Sequence, residues 1–393
     1  MKKNSLFLAF AFFVSVFLYT SIIKQLYYFA VDITLLSFFI ISCLYLALEK
    51  RIKVSTDVFL LLAFLFCLIF SLIISDSEEV GSYKLLATAP GFLVGLYLLT
   101  LNYNIYKAKR YLDMFCVLSV PTALYFIYLL PLLFTSAIGQ GDVVKSIYLS
   151  LPFYLCISIL YAVNFFPKNK LLYSIIISIN LIAVLISGAR GPLLGLFISL
   201  FILFIVNFKT LIKGALFRFF YIVPIVFFVF SYIFEGGDSS VYMMLERTIA
   251  RMELLFTGGG SSVSERLYAL KEMYNVGFDN FSSVLFGKGL GTFGMEVYGV
   301  DSYYYPHNVF LELAFEAGII TLTIFLLFIF IVLYKARNGL SLGLFYSVFI
   351  FLIFNFMKSY SIVGLRLFIP IFIFAYLLNI YHIQKKDHNN VST

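Results

Sequence analysis

The chain has 393 residues, of which 62% are hydrophobic and 12% charged, with a formal net charge of +8 and a mean hydropathy of +1.00. A soluble domain carries about 25% charge, so this composition rules out an ordinary soluble fold. Runs of about 20 apolar residues recur from end to end, each long enough to cross a bilayer core as a helix, whereas a β-barrel needs short alternating segments.

Twelve apolar runs stand out, near 5–23, 27–48, 57–75, 84–101, 112–135, 145–166, 171–187, 191–208, 215–234, 307–334, 341–357 and 362–381. Lys2 and Lys3 before the first resemble a signal peptide, but no clear cleavage site follows, so it reads as an uncleaved helix. Phe at 48, Tyr at 29 and no Trp suggest an interfacial belt built from tyrosine. The expected architecture is an all-α integral membrane protein, a single polytopic domain over 1–393 with about twelve transmembrane helices.

Basic residues orient it. With the N-terminus inside, the cytoplasmic segments hold 17 of 28 basic residues, and every cytoplasmic connection carries at least two. Both termini then face the cytoplasm. The +8 charge follows from this topology and does not point to nucleic acid. Cys43, Cys67, Cys116 and Cys156 each lie in an apolar run with no CxxC spacing, suggesting neither disulfides nor a metal site.

Between the third and fourth helices, Asp76-Ser77-Glu78-Glu79 reads as a solvated acidic loop, without the ligand cluster a metal site needs. Between the seventh and eighth, Ser187-Gly188-Ala189-Arg190-Gly191-Pro192 places an arginine in a tight turn. Pro192 suits a helix first turn, and an arginine beside a helix N-terminus makes an anion site. An ordinary interfacial arginine would look the same.

The 72 residues from Glu235 to Pro306 form a long outside loop between helices nine and ten. Residues 241–256 show a helical pattern with Arg247 and Arg251 at i,i+4, able to grip a diphosphate but close to Glu246 and Glu253. Ser262 and Glu265 have capping-box spacing and start a second helix through about Tyr274, with Leu267, Leu270 and Tyr274 on one face. Its Arg266, taken alone, reads as a solvated charge. Gly287, Gly289 and Gly291 mark a turn-rich segment. The loop is expected to lie as a small helical subdomain against the outer membrane surface.

His307, one of three histidines, opens the tenth helix; His382 and His388 lie in the charged C-terminal tail. Histidine exchanges protons near neutrality. Asn308, Glu312 and Glu316 follow at i,i+4 on one face, and two carboxylates entering an apolar run are expensive unless paired or lining a wet cavity. Arg366 is a candidate structural partner for one of them, and Asp32 is another buried charge.

ISGARGPLLGLF at 186–197, SERLYALKEMY at 264–274, LFGKGLGTFG at 285–294 and PHNVFLELAFEAGIITL at 306–322 together resemble the bacterial O-antigen polymerase and O-antigen ligase superfamily. The order of the motifs carries the resemblance across 186–322; Ala189 departs from the serine usual before the arginine. The resemblance implies a GT-C-like membrane glycosyltransferase of the bacterial inner membrane with its active site facing outward. It would move a glycan from undecaprenyl diphosphate to an acceptor sugar, with catalytic roles for Arg190, Arg266 and His307. Arg190 and Arg266 would bind substrate there; from their own residue types Arg247, Arg251, Asn308, Glu312 and Glu316 are further candidate substrate contacts, with the two glutamates open between substrate and a structural partner, and no metal or cofactor is expected. Partners would be the lipid-linked oligosaccharide, the bilayer, and a flippase and chain-length regulator of the same pathway. The leading expectation is a repeat-unit polymerase for O-antigen or capsule; the alternatives are an O-antigen ligase and, in another class, a polysaccharide flippase.

Overall fold

In a computed structural model, the described residues are 55–100, 106–135, 141–164, 170–206, 246, 249–250, 253, 261–277, 280–337 and 342–391. The runs expected at 5–23, 27–48 and 215–234 lie outside them, as do Asp32, Cys43, Arg247 and Arg251. Each remaining expected run is mainly helical over its described residues, and no strand occurs among the described residues. The chain divides into two compact units, residues 1–34, 104–257 and 343–351 in the first and 35–103, 258–342 and 352–393 in the second.

The second unit begins with α1 (Thr56–Ile73) and α2 (Glu78–Thr100). Helix α1 is apolar all round. Val58, Leu61, Phe64 and Leu68 are buried at helical spacing, while Phe59, Leu62, Phe66 and Ile73 are exposed on the other side. An apolar stripe of that length facing outward requires a nonpolar solvent, which a bilayer supplies. Four described segments are long and apolar enough to cross a membrane: Thr56–Ile73, Glu78–Thr100, Val309–Ala336 and Ile362–Asn379.

Helix α2 starts six residues before the apolar run expected at 84. Glu78 and Glu79 occupy its first turn, where acidic side chains favour the positive end of the helix dipole. Asp76, Glu78 and Glu79 are exposed, as a solvated acidic loop requires. Gly95 on α2 leaves no room for a Cβ, which would lie 2.6 Å from the side chain of Ile369. Small residues at such contacts let membrane helices approach closely.

The first unit contains α3 (Tyr106–Thr135), α4 (Gly141–Asn164), α5 (Lys170–Ser187) and α6 (Arg190–Val206). Three of these helices are joined by neutral polar groups. Asn180 Nδ2 donates to Ser119 Oγ at 2.7 Å and to Ser158 Oγ at 3.2 Å, and the two hydroxyls lie 3.0 Å apart. All three side chains are fully buried.

Returning to the second unit, the loop region contributes α7 (Ser261–Gly277), α8 (Phe281–Phe286) and α9 (Phe293–Tyr298). Helix α7 begins one residue before Ser262, so Ser262 is inside the helix rather than its cap. Its buried face also differs from expectation. Ala269 and Met273 pack with Phe293, Val297 and Phe315, and Leu270 joins them, while Leu267 and Tyr274 are exposed. The buried face is centred on Ala269 and Met273 rather than on Leu267 and Tyr274. At the entry of the loop, Glu246, Ile249, Ala250 and Glu253 are helical.

The next span is interrupted. Short α10 (Val309–Glu312) runs into a π-helical segment, Leu313–Ala317, before α11 (Gly318–Ala336). Then come α12 (Leu342–Lys358), of which residues 343–351 belong to the first unit, a 3-10 turn at Ile362–Gly364 and α13 (Leu365–Val391). Helix α13 carries His382 and His388, placed by sequence in a tail.

Candidate functional site

His307 does not open a helix. Asn308 is the N-cap of α10, its Oδ1 accepting from the N–H of Phe310 at 3.0 Å and of Leu311 at 3.2 Å. Asparagine is among the best residues for this position, because its side chain satisfies N–H groups that the helix cannot. His307 therefore precedes the cap, at φ 58°, alone among the described non-glycine residues in having positive φ. That conformation crowds an L side chain, and such strain persists only where surrounding structure over-determines it.

Three charged side chains form a lock directly below. Lys84 Nζ of α2 lies 2.6 Å from Glu312 Oε1 and 2.6 Å from Glu316 Oε1, all three fully buried. The remaining lone pairs are used by backbone. Glu312 Oε2 accepts from the N–H of Ile362 at 2.8 Å. Glu316 Oε2 accepts from Gly291 N–H at 2.9 Å, and its Oε1 from Phe293 N–H at 3.3 Å. Of the two escapes open to these carboxylates, pairing and a wet cavity, the structure takes pairing. The partner of both is Lys84, rather than the Arg366 expected for one.

The glycine segment is clamped to this lock. The carbonyl of Glu316 accepts from Gly289 N–H at 2.9 Å and from Ser71 Oγ at 2.7 Å, and Lys288 N–H donates to the Phe315 carbonyl at 2.9 Å. A π turn leaves carbonyls free for such outside donors. Gly287, Gly289 and Gly291 have φ of 83°, 106° and 94°. A Cβ on Gly289 would sit 2.5 Å from the Cα of Ser75, and one on Gly291 2.5 Å from the backbone nitrogen of Gly81. Close backbone approach explains why these positions carry glycine.

Tyrosines link the lock to Arg266 and His307. The ring of Tyr303 lies 5.6 Å from Lys84 Nζ, and its hydroxyl is 2.6 Å from Ser361 Oγ. Tyr305 stands 4.4 Å from the His307 ring, centroid to centroid. Burial raises the Tyr305 phenol, Glu312 adds to this, and the charges of Arg266 and Lys84 oppose it. Burial, then the charge of Arg266, push the His307 imidazole down to about 4, against a hydrogen bond with the Ser359 backbone. Arg266 and His307 thus share one electrostatic environment, and the imidazole is neutral at pH 7.

Arg190 belongs to the first unit and is the first residue of α6. The turn before it matches expectation: Gly188 has φ 64°, and Ala189 N–H donates to Ser187 Oγ at 3.2 Å. Arg190 is half-buried. Lys84 is the residue that sequence reasoning missed. The signal was there: once the acidic first turn of α2 is counted as helix, Lys84 lies inside an apolar span, where a charge demands a partner.

These features define a protein of membrane character, all-helical among the described residues, whose second unit holds an arginine, a strained histidine and neighbouring tyrosines close to a buried ionic lock. Residues 173–326 match the family model described as O-Antigen ligase. The match supports the O-antigen ligase and polymerase superfamily and a glycosyltransferase-like enzyme of that type in a bacterial membrane. It spans Arg190, Arg266 and His307 but not Lys84. No curated protein matches the chain.

Proposed function

We propose that the protein is a surface-polysaccharide repeat-unit polymerase acting at the outer face of the bacterial inner membrane. The observation that carries this reading is the neutral, strained His307 held within the field of Arg266. In the proposed reaction an acceptor hydroxyl oxygen bonds to the anomeric carbon of the donor glycan. The bond from that carbon to the carrier diphosphate breaks, and undecaprenyl diphosphate departs with the electron pair. His307 takes the hydroxyl proton and later returns it to solvent. Arg266 binds the diphosphate, whose charge grows as the bond breaks, and Arg190 is by itself a candidate anion contact; guanidinium forks match phosphate oxygens and stay protonated. Asn308, Glu312 and Glu316, named from sequence as substrate contacts, serve this site by holding it in shape.

The two causes of the low His307 value give the site an order of events. A free imidazole titrating near 4 is a weak base. A diphosphate on Arg266 offsets the cationic charge that depresses it, so donor binding strengthens the base. The test is complementation of a deletion strain with Arg190→Ala, Arg266→Ala and His307→Ala. Polymer should vanish while membrane protein levels hold; full-length polymer from all three variants would sink the reading.

The family description favours a second reading, an O-antigen ligase moving finished glycan to a lipid or protein acceptor. The deletion strain separates them. A polymerase leaves single repeat units on the acceptor, and a ligase leaves long chains on the carrier lipid.

A further inference from the structure

Tyr268 of α7, Tyr298 of α9 and Tyr304 of the following segment form a continuous ridge. Ring centroids are 6.3 Å apart between Tyr268 and Tyr298 and 4.8 Å between Tyr298 and Tyr304. The three rings are 52%, 38% and 48% exposed. The ridge runs into the candidate site through the chain itself, since Tyr304 is followed by Tyr305, whose ring faces His307 at 4.4 Å.

The ridge is rigidly mounted. Tyr298 packs on Phe293, and Phe293 on Phe315, inside the buried cluster under α7. The segment carrying Tyr304 is pinned by successive backbone bonds, Val300 N–H to the Gly294 carbonyl at 3.3 Å, Ser302 to Val300 at 2.9 Å and Tyr304 to Ser302 at 2.8 Å. Exposed aromatic rings held in place by a core lose little freedom on binding, which favours a ligand surface.

Two occupants suit such rings, a sugar and a membrane interface. Charge separates them. From 264 to 305 the sequence has five acidic and three basic residues, a net −2 in a chain whose total is +8. A surface that docks on anionic lipid collects lysine and arginine instead. The carboxylate of Glu265 lies within electrostatic reach of Tyr298 and can accept hydrogen bonds from hydroxyls. Pyranose rings present faces of C–H groups with partial positive charge, which fit the negative faces of aromatic rings, while their hydroxyls bond to polar neighbours.

We propose that Tyr268, Tyr298 and Tyr304 are an acceptor-glycan subsite, on which successive sugar rings stack and lead the terminal hydroxyl to His307. This rests on the glycosyl-transfer reading above.

The chain contains no tryptophan, so Tyr304→Trp in the full-length protein in nanodiscs gives a single-site reporter. The first probe is oligosaccharide released by mild acid from the host's surface polymer; the second is nanodiscs of brominated phosphatidylcholine. A saturable emission shift with the oligosaccharide, and no quenching by brominated lipid, is expected. Quenching without the shift overturns the proposal and assigns the ridge to the bilayer; neither response overturns it too.

In transfer assays with the lipid-linked repeat unit, Tyr268→Ala with Tyr298→Ala should raise the acceptor KM about tenfold at nearly unchanged kcat. Phe at both positions should restore it. An unchanged KM overturns the subsite. The His307→Ala, Tyr304→Trp double variant separates the two readings. Loss of transfer with the shift retained supports both; transfer retained with the shift present removes the role of His307 alone.

Discussion

Each unit buries polar groups among apolar helices, but in different ways. In the first, Ser119, Ser158 and Asn180 meet as neutral side chains that bond mainly to each other. In the second, Lys84, Glu312 and Glu316 bring formal charge into the interior and spend every carboxylate oxygen on an ammonium or a backbone N–H. Neutral networks hold helices to helices. The charged one reaches outward to irregular backbone, the glycine segment at 291–293 and the turn at Ile362, and so holds loops to a helix. A site built on loops needs that second kind of fastening.

The largest effect should come from breaking the charged lock on one side. Lys84→Met strands two buried carboxylates, a loss of about 3–5 kcal/mol for one broken buried pair. Folded protein recovered from membranes should collapse. The triple variant Lys84→Met, Glu312→Gln, Glu316→Gln removes charge on all sides, and more protein should survive than in the single variant. Equal recovery would mean that the unpaired charge is not what matters. Gly289→Ala comes next. It forces a side chain into φ 106° and against the Cα of Ser75, a strain of about 1–3 kcal/mol before any clash. Its measure is the melting temperature of the detergent-solubilised protein.

Weaker again should be the neutral network. Asn180→Ala removes two hydrogen bonds between membrane helices, worth about 0.6 kcal/mol each on average and about 1.7 at most. A loss as large as that from Lys84→Met would erase the distinction between the two networks.

The same contrast governs what could be read from sequence. The apolar runs, the turn at Ser187–Arg190 and the pairing demand of Glu312 and Glu316 follow from residue types over short spacings. Lys84 did not, because its partners lie 228 and 232 residues away and its burial depends on how α2 packs with α1, α13 and the 3-10 turn. Gly287, Gly289 and Gly291 were legible as turn residues; that they admit Ser75 and Gly81 depended on the same packing. Asn308 was legible as a polar residue at the helix start, but its capping of Phe310 and Leu311 depended on where the helix begins. Arg266 was found by its resemblance to a family and His307 by its residue type as well, whereas their shared field depended on the fold.

His307 comes last, because its effect is absent at neutral pH and appears only in acid, and it tests whether Arg266 shapes the site. Its folded value, about 4, lies below the ordinary 6.5, so the fold favours the neutral ring. That contribution to stability is fully present above pH 6.5 and is lost as pH falls through about 4. Because the ring is only part-buried, the slope is softened by solvent. His307→Gln should flatten the decline in melting temperature between pH 6.5 and 4, leaving the acid loss from carboxylates elsewhere. Arg266→Gln should move the His307 titration upward, by removing the second-largest cause of its depression. If the titration stays in place, burial alone holds the imidazole neutral, and donor binding at Arg266 has no means of strengthening the base.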